Sequence, residues 1–187
     1  MSKTLFVNAC VRPESRTHIL AEYVLNKLGD YTELNLEQEN IQPLNLESLQ
    51  QRDALLKAGD LNAPMLKYAQ QFAASETVVI AAPYWDLSFP AMLKNYIEAL
   101  CAQGITFTYS EEGFPVGLTN IKKIIYVTTA GGPTAGMDFG WEYVQGVFKN
   151  LMGIQDIQCF KAEMLDVIGF DVDEILEKTK EEIDKVL

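Results

Sequence analysis

The chain has 187 residues, 48% hydrophobic and 22% charged, a length and balance that suit one globular domain over 1–187 with a real core. Its formal net charge of −11 argues against nucleic acid and anionic membrane surfaces as partners, since both select a basic footprint. The three cysteines, Cys10, Cys101 and Cys159, are far apart and form no CxxC pair, a pattern that suits neither zinc nor a disulfide framework.

In chain order, Lys3 to Ala9 reads as a buried strand, and Cys10 to Arg16 as a loop containing Pro13. Ser15 or Thr17 then caps a helix carrying Leu20, Val24 and Leu28 at helical spacing, with Gly29 as its stop. The one histidine, His18, lies just inside this helix in a surface or cap position, and excludes any mechanism that needs a His pair. Tyr31 to Leu36 alternates like an edge strand. Glu37 to Asp60 is polar and irregular, with a short helix around Gln50 to Lys57, and Pro64 to Ser75 is an amphipathic helix.

Thr77 to Ala82 is a run of β-branched and small apolar residues, the pattern of a strand buried on both faces. It stops at Pro83 and runs into Tyr84-Trp85-Asp86-Leu87. Pro90 opens a helix to Gln103 with Met92, Leu93, Tyr96, Ile97 and Leu100 on one stripe. Ile105 to Tyr109 alternates and Ser110 to Gly113 turns, which predicts a small hairpin. Lys123 to Thr129 is a further buried strand broken at Ala130-Gly131-Gly132-Pro133. A helix from Phe139 to Met152, a strand near Ile157 to Phe160 and a helix from Val172 to Val186 complete the reading. With no basic-then-apolar leader and no apolar run of membrane length, a soluble cytoplasmic protein is the expectation.

Alternating strands and helices predict an α/β fold: a doubly wound, five-stranded parallel sheet with helices on both faces and a small hairpin inserted before the fourth strand. The flavodoxin-like order 2-1-3-4-5 places its switch point between strands one and three, beside the loop after strand four. Three loops therefore meet at one sheet edge. Cys10 to Thr17 runs into a helix N-terminus with two hydroxyls and two arginines, an anion site, or merely a cap with surface arginines. Tyr84 to Leu87 offers aromatic faces and backbone amides to a flat ring, or belongs to the core or an interface. Thr129 to Gly132 allows close backbone approach to a ligand, or is a plain turn. A phosphate at the first loop with a planar ring between the other two describes flavin mononucleotide (FMN).

The chain resembles the flavodoxin-like NAD(P)H-dependent flavin oxidoreductases, in particular the FMN-dependent NADH-azoreductases and their quinone reductase relatives. The resemblance rests on MSKTLFVNA, on Ser15 and Thr17 entering the first helix, on the AAP-aromatic block followed by LKNYIEAL, on GITFTYSEEG, and on TTAGG. It implies that Cys10, Ser15, Arg16 and Thr17 meet the FMN phosphate. It implies that Tyr84, Trp85, Asp86 and Leu87 cradle the ring, with Thr129, Ala130, Gly131 and Gly132 along its edge. It further implies NADH or NADPH as co-substrate, a quinone or azo acceptor, chemistry borne by the flavin without a catalytic side chain, and a homodimer, whose partner is expected to close the pocket through apolar surface around Tyr96, Phe107 and Trp141. The family usually has serine where Cys10 stands and asparagine where Asp86 stands. A carboxylate at Asp86 is expected to lower the flavin's reduction potential.

Two other readings share the fold. Cys10, Arg16 and Thr17 spell C-x5-R-[ST], the signature of low-molecular-weight phosphatases, but Pro13 and Glu14 replace that family's glycines and no Asp-Pro general acid follows. A flavodoxin-type electron carrier without NAD(P)H activity would carry a T-x-T-G-x-T loop, which is absent. An acidic cluster after strand one, needed by a receiver domain, and the G-x-G-x-x-G and G-x-x-x-x-G-K-[ST] loops are missing as well.

Overall fold

β1 (Thr4–Asn8) is buried along its whole length and lies second from the edge of the sheet. The structure, a computed structural model, describes residues 3–187; Met1 and Ser2 of the MSKTLFVNA block lie outside the described residues. β1 pairs in parallel with β2 (Tyr31–Asn35) on one side and β3 (Thr77–Ala81) on the other. β3 pairs with β6 (Lys123–Thr129), and β6 with β7 (Asp156–Ala162), again in parallel. The order β2-β1-β3-β6-β7 is the expected 2-1-3-4-5 once the two hairpin strands are set aside. Those strands, β4 (Phe107–Tyr109) and β5 (Pro115–Gly117), form a separate antiparallel pair in the interval where alternation predicts them.

Because side chains alternate along a strand, the sheet feeds two cores. Leu5, Val7, Val78, Ile80, Ile124 and Tyr126 pack against α4 (Lys67–Ala74), α5 (Ala91–Leu100) and α6 (Phe139–Gln145). Phe6, Val79, Ala81, Ile125 and Val127 point the other way, against α1 (Arg16–Leu28) and α7 (Val172–Asp184). α1 begins where Ser15 Oγ accepts the N–H of His18, and ends at Gly29 with φ 85°. His18 is thus a cap partner, with its ring against Phe6.

Several boundaries move. Glu37 to Asp60 is more ordered than its composition implies. It holds the short α2 (Leu36–Glu39) and the thirteen-residue α3 (Leu46–Ala58), which starts at a reciprocal cap between Asn45 and Ser48. α3 has no buried residue and therefore carries no apolar period to read. The helix from Phe139 changes at Gly146 to a π-helical stretch, Gly146–Leu151. No helix among the described residues is long and apolar enough to cross a membrane.

Candidate functional site

At the carboxyl edge of β1, β3 and β6, a cleft of about 360 Å³ is lined by residues of all three expected loops. Asn8 starts the first loop: its side-chain carbonyl accepts the Cys10 N–H at 2.9 Å, and its amide donates to Glu33 at 2.9 Å. A turn closes from Ser15 N–H to the Arg12 carbonyl at 3.1 Å, with Pro13 where such turns favour a fixed φ. The chain then enters α1, whose first N–H groups, those of Arg16 and Thr17, have no intrahelical acceptor. Ser15, Arg16 and Thr17 line the cleft, so this end of the helix offers it unpaired donors of the kind that suit an anion. Thr17 is fully buried, and its hydroxyl lies 2.7 Å from that of Thr129.

The second loop is built as a two-residue reversal. Trp85 N–H donates to the Ser88 carbonyl at 2.9 Å and Ser88 N–H to the Trp85 carbonyl at 2.8 Å. Between them Asp86 and Leu87 have φ of 49° and 69°, the paired left-handed values of a type I′ turn, which ordinarily takes Asn-Gly. The turn presents Tyr84 and Trp85 to the cleft and leaves Asp86 and Leu87 exposed at its tip. Tyr84 N–H donates to the Thr129 carbonyl at 3.0 Å, and its hydroxyl to the Met137 carbonyl at 2.9 Å. Burial, then the nearby Asp138 carboxylate, pushes the Tyr84 phenol up, so it remains a protonated donor.

Thr129 and Gly131 line the cleft from the third side. Neither Gly131 nor Gly132 uses a positive φ. Gly131 leaves room for the Asp166 carboxylate, which a Cβ there would push aside. Ala130 is buried and holds the loop to the end of β7, donating to the Ala162 carbonyl at 2.9 Å.

A fourth loop, after β7, carries no motif and was not expected at the site. Asp166 N–H donates to the Gly131 carbonyl at 2.9 Å. Arg16 donates to Asp166 Oδ1 at 2.7 Å and to the Leu165 carbonyl at 2.8 Å. Arg16 thus clasps the fourth loop, while the exposed Arg12 at the cleft mouth has no ion pair among the described residues. Val11, Glu14, Pro83 and Asp166 are lining residues that the motifs did not mark.

Cys10 lies on the other side of its loop. It is buried, packs with the α1 core and directs its thiol towards the Ala81 carbonyl, 3.8 Å away. Burial pushes the thiol up to about 11, partly offset by a hydrogen bond with Ser15. A neutral, inward thiol is no nucleophile, which removes the phosphatase reading. The apolar surface expected around Tyr96, Phe107 and Trp141 is also corrected. Tyr96 and Phe107 are core, because α5 turns its stripe onto the sheet, and Trp141 is half-buried on Tyr126. Among the apolar side chains that do reach solvent are Tyr109, Phe114, Val116 and Leu118 on the hairpin, and Trp85, Leu87, Met137 and Phe139 near the cleft.

Sheet order and cleft together define a doubly wound α/β protein with an open helix N-terminus and an aromatic turn lining one cleft at the switch point. The chain belongs to the family described as "Flavodoxin-like fold", whose sequence model matches residues 2–187. An FMN-dependent NADH:quinone oxidoreductase 2 of Clostridium acetobutylicum is 40% identical over 195 residues, covering 97% of this chain and 96% of its own. An FMN-dependent NADH:quinone oxidoreductase of Clostridium perfringens strain SM101 is 39% identical, covering 100% of this chain and 97% of its own. The crystal structure of an azoreductase from Bacillus anthracis strain Sterne matches with a TM-score of 0.87 at 29% identity, covering 100% of this chain and 98% of that one.

Proposed function

We propose that this chain is an FMN-dependent NAD(P)H oxidoreductase that reduces quinones and azo compounds, with 1–187 acting as one FMN-binding domain. The observation that carries the reading is the meeting of α1's open N-terminus and the Tyr84–Trp85 turn across one cleft, fastened by the Thr17–Thr129 hydroxyl pair. The donor set fits a mononucleotide. A phosphate finds backbone N–H groups, the Ser15 hydroxyl and the Arg12 guanidinium at one end, and a planar ring finds Tyr84 and Trp85 at the other. The chemistry that bound FMN supplies is hydride acceptance from NADH or NADPH followed by two-electron delivery to the acceptor, in two half-reactions.

The protein's own residues hold and tune. Ser15, Arg16 and Thr17 anchor the phosphate; Tyr84 to Leu87 cradle the ring; Thr129 to Gly132 run along its edge, with Thr129 also carrying the Tyr84 N–H bond. Cys10 supports the phosphate loop from below through packing. The exposed hairpin and the Phe139 region supply the apolar face of a homodimer that closes the cleft. Function in the cytoplasm, without nucleic acid or membrane, agrees with the net charge of −11.

The test is direct. Purified protein should be yellow, denaturation should release FMN, and the holoprotein should oxidise NADH or NADPH rapidly when a quinone or azo dye is supplied. A colourless protein that also fails to bind added FMN defeats the reading. FMN binding without pyridine-nucleotide oxidation makes the chain an electron carrier instead. A monomer in analytical sedimentation removes the dimer.

A further inference from the structure

Behind the aromatic turn, away from the cleft, lies a cluster that the proposed function leaves unused. Lys161, on β7, donates from Nζ to Asp138 Oδ2 at 2.8 Å and to Thr134 Oγ1 at 2.8 Å, with Glu163 Oε1 at 3.6 Å. Glu163 in turn accepts the Thr134 N–H at 2.9 Å and the Thr134 hydroxyl. Thr134 and Asp138 are buried and Lys161 is three-quarters covered, so these ionic contacts are poorly screened. One ammonium therefore serves two carboxylates and fixes both ends of the 134–138 segment to the sheet.

That segment holds the turn. The Met137 carbonyl accepts the Tyr84 hydroxyl at 2.9 Å, and the Phe139 N–H donates to the Leu87 carbonyl at 3.1 Å. Gly140 packs so closely beneath Ser88 that a Cβ would lie 3.2 Å from Ser88 Cα. Asp138 itself caps α6 through the Trp141 N–H at 3.0 Å. The Asp86–Leu87 conformation is costly for residues other than glycine, and such a turn persists only where its surroundings over-determine it. The over-determination reaches it through 137–140.

We propose that Lys161 is a positioning residue: by tying Thr134, Asp138 and Glu163 together it holds segment 137–140 against the Tyr84–Leu87 turn and so sets the geometry of the ring-binding wall. The inference rests on the flavin reading for its effect on the site, though not for the coupling itself. Lys161 touches neither cofactor nor substrate and performs no step. Replacing it with methionine keeps the stem and leaves two neighbouring carboxylates without their cation, so 134–138 moves away from the sheet.

The experiment compares wild type, Lys161→Met, Lys161→Arg and Asp138→Asn. Hydrogen exchange on the apoprotein follows the amides of Ser88 and Phe139, and FMN titration and the flavin midpoint potential follow the site. In Lys161→Met the two amides should exchange faster and FMN affinity should fall, each by about tenfold or more, equal to ~1.4 kcal/mol. The midpoint potential should shift, and Lys161→Arg should restore most of each change. Asp138→Asn, which keeps the cap but loses the ion pair, should fall between and covers the case in which Lys161→Met does not fold. Unchanged exchange at both amides overturns the proposal. Faster exchange with FMN affinity and potential unmoved also overturns it, since the network is then merely structural. Faster exchange in a protein whose wild type binds no FMN upholds the coupling and defeats the flavin reading instead.

Discussion

Thr17 and Thr129 meet hydroxyl to hydroxyl, 2.7 Å apart, where the first turn of α1 touches the last residue of β6. Thr17 is fully buried, so its oxygen cannot turn to solvent if the Thr129 hydroxyl is lost. Thr129→Val should therefore cost about 1–3 kcal/mol in denaturant titration, because the Thr17 hydroxyl keeps its desolvation penalty without a bond. Thr17→Val should cost less, because the Thr129 hydroxyl borders the cleft and can meet water there. The double variant should recover much of that loss, since two apolar isosteres strand no polar atom. FMN affinity should stay reduced in all three, and equal stability losses in single and double variants would refute the argument.

Gly131 predicts a second, coupled effect. A methyl group there meets the Asp166 carboxylate, which Arg16 holds in place at 2.7 Å. Gly131→Ala should turn the Asp166 carboxylate aside, cost up to about 1 kcal/mol as a lost exposed ion pair, and weaken FMN binding by releasing the Arg16 clasp. In an Asp166→Ala background the same change should cost clearly less, and thermal denaturation of the four proteins measures the difference. Additive losses would show that the glycine is needed for some other reason.

The same residues show how far the sequence could be read. Strand order and three converging loops were legible because buried parallel strands are near-continuous apolar runs and ligand loops follow their carboxyl ends. Asp166 and Lys161 were not, because each acts through a partner about 150 or 25 positions away that no local pattern connects to it: Arg16 and Asp138. Gly131 lines the cleft without a positive φ, and the carboxylate that crowds it belongs to a loop no local pattern connects to it. The orientation of Cys10 was not legible, since a loop residue after a strand can face the core or the cleft with equal local propensity. The first turn of α3 went unmarked, its solvated surface offering no period.

Burial of Cys10 gives stability a dependence on alkaline pH. Its folded value, about 11, lies above the ordinary 9.0 of the unfolded chain. A group raised in this way contributes fully below pH 9 and loses its contribution as pH rises towards 11. Two units correspond to at most about 3 kcal/mol. The fall in unfolding free energy between pH 9 and 11 should therefore be smaller in Cys10→Ala than in wild type. At pH 8 the native thiol should resist iodoacetamide and react only after unfolding. Identical pH profiles would show that the thiol is open to solvent.

Asp86 offers a clean charge test. Asparagine tolerates the left-handed φ of 49° at least as well as aspartate, so Asp86→Asn keeps the turn and removes one negative charge. An exposed charge within several ångströms of a ring that gains charge on reduction is worth roughly 0.5–2.5 kcal/mol. For a two-electron couple that is about 10–50 mV. The midpoint potential of the FMN-loaded variant should rise by that amount, and the rise should shrink in high salt. No shift at low salt would mean that Asp86 contributes its backbone alone.

Leu87 separates stability from function most sharply. It occupies the second left-handed position of the turn at φ 69°, where a Cβ costs about 1–2 kcal/mol and glycine nothing. It is also exposed, so truncation creates no cavity and loses little buried area. Leu87→Gly should consequently raise the unfolding midpoint, with a gain of about 0.5–1 kcal/mol after the unfolded chain's added freedom is subtracted. A residue kept at a strained position without burial is kept for what it faces. The same variant should therefore bind FMN less tightly and raise the KM for the nicotinamide donor while leaving the fold intact. Gain of stability with unchanged affinity and kinetics would show that Leu87 is no part of the ring wall.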